Sequence, residues 1–147
     1  QGYSSAASDV YKRQVIGVVL CVSKKYRRGG MQMLSAELLS FIVGNLIIKN
    51  MVDRLRPCQI DETVSLIVKI PFDSSFPSGH TLNGITAAVT LMFIDKRMGI
   101  PAIVLAVLIA FSRMYNFMHF PTDVLAGAVL GVVSAVFVNF LFKRAGN

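Results

Sequence analysis

Four apolar runs, separated by short clusters of charge, take up most of this sequence: Met31–Ile48, Gly79–Ile94, Ile100 to about Phe117, and Pro121–Phe142. Runs of this kind read as membrane spans, because about 20 apolar residues in a helix cross a hydrocarbon core of roughly 30 Å. The second and third are short for the task. A further stub, Val15–Val22, would be about 12 Å long as a helix and reads as the end of a span whose start is missing. Composition points the same way. Hydrophobic residues make up 54% of the chain before its 11 glycines are counted, against roughly 45–50% with glycine included in a soluble domain. Only 16% of residues are charged. A soluble bundle has little use for so much apolar surface. The expected fold is therefore all-α: a single integral-membrane helical bundle, N-terminally truncated, with four full spans plus a partial one.

The net charge of +7 raises nucleic acid as a partner. The cations are not gathered into one stripe, however, which argues against that partner. They fall between the apolar runs. By parity, Lys24, Lys25, Arg27, Arg28, Lys96, Arg97, Lys143 and Arg144 share one side, while Lys49, Arg54, Arg56, Lys69 and Arg113 share the other. The more basic side is expected to be cytoplasmic. The long loop from Asn50 to Pro77 and the Arg113–Asp123 segment then face outward, at a cytoplasmic membrane. Cys21 and Cys58 fall toward opposite sides, which argues against a disulfide between them, and they lack metal-ligand spacing.

Residues 1–14 stand apart. SSAASDVYKRQ, Ser4–Gln14, can be read codon for codon as a transposase sequencing adapter, so the native chain is expected to enter near Val15 and the domain to occupy 15–147. Elsewhere, Asp95-Lys96-Arg97 with Gly99 reads as a tight turn, and Pro101 and Pro121 suit the first turns of the two helices that follow. Ala126–Gly131, AGAVLG, offers small residues for close helix packing. Val64–Ile70 is too short to span and reads as an interfacial piece.

Three polar clusters fall on the outward side. Lys49 and Arg56-Pro57 are, taken alone, a cationic span end that snorkels to the interface. Arg113 sits near the end of an apolar run, where a cation is costly and usually paired or functional. Brought together, three cations need an anion, and phosphate fits the guanidinium fork. In Pro77-Ser78-Gly79-His80, Ser78 is a good N-cap, and the free amides of a helix start attract phosphate. The plain alternative is a capped helix, although a histidine in the first turn opposes the helix dipole when charged. His119 and Asp123 are four apart, with Pro121 between them. Asp123 reads either as a dipole-stabilising charge or as the acceptor that fixes the His119 tautomer and frees its other nitrogen for attack. Both histidines of the chain lie on this face, enough for one nucleophile and one acid.

K-x6-RP, PSGH and SR-x5-H-x3-D, in this order from Lys49 to Asp123, resemble the type 2 phosphatidic acid phosphatase (PAP2) superfamily. Members are membrane lipid phosphatases, typically of six helices, with soluble acid phosphatases and vanadium haloperoxidases as relatives; the apolar spans point to the membrane branch. The resemblance implies the roles. His119 would be the nucleophile, Asp123 its orienting carboxylate and His80 the proton donor to the leaving group. Lys49, Arg56 and Arg113, with Ser78 and Gly79, would hold the phosphate. It implies no metal or other cofactor, and the sequence offers no carboxylate cluster for magnesium. The segment looks most like small bacterial members that recycle undecaprenyl pyrophosphate. Phosphatidic acid or phosphatidylglycerophosphate is the alternative substrate, and a non-catalytic lipid-binding or transport relative the remote one. The expected partners are thus a lipid phosphate and the membrane.

Overall fold

The structure, a computed structural model, describes residue 15, residues 17–60 and residues 73–146. The adapter-like residues 1–14 and the apolar piece Val64–Ile70 lie outside the described residues. Among those described there are helices and no strands. After a helical stub at 17–22 come α1 (Arg27–Met51), α2 (Pro57–Ile60), α3 (Gly79–Ile94), α4 (Lys96–Tyr115) and α5 (Pro121–Arg144). The all-α membrane bundle expected from the sequence is what forms. By length and composition α1, α4 and α5 can cross a membrane. The fourth expected span, α3, has 16 residues, about 24 Å, and is the short one.

α3 is the centre of the bundle and packs against α1, α4 and α5. Thr81, Leu82, Asn83, Gly84, Thr86, Ala87, Ala88, Thr90 and Leu91 are all buried, so it shows no single apolar stripe. Its buried hydroxyls are satisfied along the helix: Thr86 donates to the Leu82 carbonyl at 2.9 Å and Thr90 to that of Thr86 at 2.8 Å. The surrounding helices turn their large apolar side chains outward. Leu105, Leu108 and Phe111 on α4, and Leu125, Val129 and Phe137 on α5, are exposed. That is the surface a lipid-facing bundle needs, since hydrocarbon is as good a solvent for leucine as the core is.

α5 lies backbone to backbone against the start of α3. A Cβ built on Gly127 would stand 2.7 Å from the Ser78 carbonyl oxygen, and one on Gly131 2.7 Å from that of Leu82. The small residues expected to allow close packing sit at this contact. The approach lets the Ser78 amide donate to the Asp123 carbonyl at 3.0 Å, which ties the first turn of α5 to the first turn of α3.

α1 changes pitch on its way to the site. Its buried stripe runs Gln32, Ala36, Ser40, Gly44, in steps of four, then takes a step of five to the largely buried Lys49. The Phe41–Ile48 stretch is π-helical, and the longer i→i+5 turn accounts for that step.

The junction before α4 differs from the expectation. Asp95 caps the helix, its carboxylate accepting from the Arg97 amide at 2.9 Å, so α4 starts at Lys96 and Pro101 lies inside it rather than in its first turn. Pro121, in contrast, opens α5 as expected. Contacts of Arg28 with the Phe142 carbonyl and of Gly29 with Ile94 gather the basic clusters at one end of the bundle. Lys49, Gly79 and Pro121 lie at the other.

Candidate active site

Three loop segments meet at the Lys49 end: 52–60 after α1, 73–78 before α3, and 116–120 between α4 and α5. Backbone hydrogen bonds join them. Ser75 donates to the Arg54 carbonyl at 2.8 Å, and Cys58 to that of Phe117 at 3.1 Å. Both cysteines are free thiols.

His119 is buried at this junction. Its Nδ1 lies 2.8 Å from the Ser75 carbonyl oxygen, which can only accept. Its Nε2 lies 3.3 Å from Nη1 of Arg56, which can only donate. Both neighbours select the same tautomer, with the proton on Nδ1 and the lone pair on Nε2. Burial first, and then the Arg56 charge, push the His119 pKa down to about 4. The ring is therefore a neutral base whose free nitrogen faces a cation.

Arg56 is itself buried, with all three guanidinium nitrogens engaged. Nη1 also donates to the Met118 carbonyl at 3.0 Å, Nε donates to the Asp73 carbonyl at 3.2 Å, and Nη2 meets Asp73 Oδ1 at 2.7 Å. Lys49 completes the group, with Nζ 2.5 Å from Asp73 Oδ2. Two of the three expected phosphate-binding cations are thus brought together beside His119, and they already hold a carboxylate.

Asp123 is buried with full hydrogen bonding. Oδ1 accepts from Arg54 Nη1 at 2.7 Å; Oδ2 accepts from the Ser75 hydroxyl at 2.5 Å and from the Phe120 amide at 2.9 Å. Its distance to His119 Nδ1 is 3.9 Å, too long for a hydrogen bond. Instead of a direct Asp123–His119 hydrogen bond there is a relay through Ser75, whose carbonyl accepts from the imidazole N–H and whose hydroxyl donates to the carboxylate. Oδ2 is committed to the Phe120 amide because Asp123 sits in the first turn of α5 and closes that turn.

The other expected residues are placed less centrally. Ser78 stands at the N-cap position of α3 without a side-chain cap. Its hydroxyl accepts from Thr81 at 3.0 Å, and its amide is used by Asp123. Gly79 opens α3 against Asn45, whose Oδ1 would lie 3.0 Å from a Cβ there. His80 is the second residue of α3 and partly exposed. Arg113, in the last turn of α4, has its Nε 3.4 Å from Ser112 Oγ; among the described residues no hydrogen bond or ion pair joins it to Arg56, Lys49 or His119.

Arg54, Asp73 and Ser75 were not singled out by the sequence. Arg54 binds Asp123 and Thr122, the latter at 2.8 Å, and lies 4.2 Å over the Phe120 ring. A sign of it was present: a carboxylate next to apolar helices needs a cation, and Arg54 is one of few on that side.

Fold and site together define a multi-pass helical membrane protein with an anion cradle beside a neutral, oriented histidine. The chain belongs to the PAP2 superfamily, whose model matches residues 29–146. It is 35% identical over 117 residues to an undecaprenyl-diphosphatase of Sulfolobus acidocaldarius, covering 79% of this chain and 56% of that one. To the undecaprenyl-diphosphatase BcrC of Bacillus subtilis it is 31% identical, covering 58% and 42%. The chain thus spans about half the length of the curated relatives it matches. A transmembrane PAP2-type phosphatidylglycerolphosphate phosphatase from Bacillus subtilis shares the fold, with a TM-score of 0.74 and 26% identity, over 95% of this chain and 71% of that one.

Proposed function

We propose that the protein is a membrane lipid phosphatase that removes the terminal phosphate of a lipid pyrophosphate through a phosphohistidine. The observation that carries this is the neutral His119, with its Nε2 lone pair 3.3 Å from Arg56, next to two cations arranged around an anion.

In the first half-reaction His119 Nε2 attacks phosphorus, and the bond to the bridging oxygen breaks. His80 gives its proton to the departing lipid phosphate. The Ser75 carbonyl keeps the Nδ1 proton in place while the ring gains positive character. Lys49 and Arg56 bear the charge of the pentacovalent transition state, typically the largest single contribution; Arg113, Ser78 and Gly79 complete the phosphate site once substrate is bound. In the second half-reaction water loses a proton to His80, attacks the phosphohistidine and releases inorganic phosphate. Asp123, braced by Arg54, fixes Ser75 and through it the imidazole.

Undecaprenyl pyrophosphate is the substrate favoured by the names of the relatives. Phosphatidylglycerophosphate is the second reading, favoured by the structural neighbour. A transport or binding role without catalysis is disfavoured by the presence of both histidines and all the expected cations. The site faces the extracytoplasmic side of the cytoplasmic membrane in this reading, because the opposite end of the bundle carries the basic clusters.

The test is phosphate release in detergent, with a chelator present, from undecaprenyl pyrophosphate, phosphatidylglycerophosphate and phosphatidic acid. Release that persists with the chelator and is lost in His119→Ala is expected, with the pyrophosphate preferred. Undiminished release by His119→Ala would sink the histidine mechanism.

A further inference from the structure

The carboxylate of Asp73 occupies the place an incoming phosphate needs. It takes Lys49 Nζ at 2.5 Å and Arg56 Nη2 at 2.7 Å, while the other terminal nitrogen of the same guanidinium faces His119 Nε2 at 3.3 Å. A phosphate in line with that nitrogen must accept from these same donors. The exposures are unequal. The side chains of Lys49 and Arg56 are 11% and 3% exposed, that of Asp73 51%. The cations are fixed beneath, and the carboxylate lies over them on the open side. Its backbone is held separately, since Arg56 Nε donates to the Asp73 carbonyl at 3.2 Å. The motion that would uncover the cations is therefore a rotation of this one short side chain. Two buried cations without an anion would be strained by mutual repulsion and lost hydration, which gives the carboxylate a reason to return.

We propose that Asp73 is a built-in counter-anion of the phosphate cradle, displaced by the substrate phosphate and returning to expel inorganic phosphate, so that it sets how tightly the site holds phosphate. This rests on the phosphatase reading above, and it makes Asp73 a determinant of anion affinity rather than a group that reacts. Burial alone would raise the Asp73 pKa, but the hydrogen bonds and charges of Lys49 and Arg56 hold it below its ordinary value. The two cations therefore favour the charged form of the competitor.

When a site is open for only part of the time, apparent affinity falls by the open fraction. Inorganic phosphate titrated into the detergent-solubilised protein at constant ionic strength is expected to bind about tenfold more tightly to Asp73→Asn and Asp73→Ser than to wild type. Asp73→Glu, which keeps the charge, is expected within about threefold of wild type. Acetate, a free carboxylate, should compete with phosphate in Asp73→Ser at concentrations that leave wild type unaffected. Unchanged or weaker phosphate binding in both neutral variants overturns the proposal, as does the failure of every form to bind phosphate. Tightening without acetate competition also overturns it, because Asp73 would then act only as a distant charge. Lipid hydrolysis by His119→Ala, run in parallel, reports on the phosphatase reading separately: if hydrolysis survives there, the histidine mechanism fails while the phosphate titration still decides the role of Asp73.

Discussion

Arg54 and Asp123, 69 residues apart, form the ion pair that supports the histidine: Nη1 stands 2.7 Å from Oδ1, with the Asp123 side chain wholly buried and the Arg54 side chain 37% exposed. The pair joins the loop after α1 to the first turn of α5. Stacking of Arg54 on Phe120 holds the guanidinium in one plane.

Removing Arg54 leaves a buried carboxylate with two hydrogen bonds and no counter-charge. The loss of a partner from a fully buried pair costs about 3–5 kcal/mol. Partial exposure of Arg54 lets water take over part of its role, so Arg54→Ala is expected to cost about 2 kcal/mol. Thermal unfolding in detergent measures this, and a change under about 0.5 kcal/mol would show that the pair is idle.

Ser75 separates two roles. Ser75→Ala keeps the carbonyl 2.8 Å from His119 Nδ1 and removes the hydroxyl, which lies farther from that nitrogen, at 3.5 Å, and donates to Asp123, a charged hydrogen bond worth about 1.5–3 kcal/mol. The variant should lose stability on that scale yet keep far more activity than His119→Ala. If both variants are equally inactive, the relay works through the hydroxyl and not the carbonyl.

The depressed pKa of His119 has a definite sign in stability. Unfolded, the ring titrates near 6.5; folded, at about 4. Its contribution is fully present above about pH 6.5 and is lost as pH falls toward about 4. NMR of the labelled imidazole should show a neutral ring protonated on Nδ1 at pH 6, and Arg56→Gln should move the titration upward. A His119 that is charged at pH 6 in wild type would contradict the geometry.

Gly127→Ala tests whether close helix approach sets the site. The added methyl would meet the Ser78 carbonyl at 2.7 Å, and backbone cannot yield there without shifting α5 from α3. A loss of about 1–3 kcal/mol is expected, with a fall in activity because the Ser78–Asp123 bond must lengthen. Alanine at Gly84, where the nearest atom is 3.6 Å away, serves as the near-neutral control.

Much of this protein was legible in order along the chain. The apolar runs, the basic clusters at one end, Pro121 at the start of α5 and the small residues of Ala126–Gly131 follow from local composition, because a bilayer leaves the backbone few choices. The spacing of Lys49, Arg56, His119 and Asp123 singled out residues that the fold gathers at one end of the bundle, with His80 on the second position of α3 nearby. The start of α4 at Lys96 was missed because the Asp95 cap outweighed the proline signal. What the tertiary structure alone decided is who pairs with whom. Arg54 rather than Arg113 reaches Asp123, Ser75 stands between Asp123 and His119, and Asp73 fills the cradle of Lys49 and Arg56. These partners come from loops and helix ends distant in sequence. Their choice depends on packing at the α3–α5 contact and on which buried charge can be neutralised there, and neither quantity is written in the spacing of residues along one strand of text.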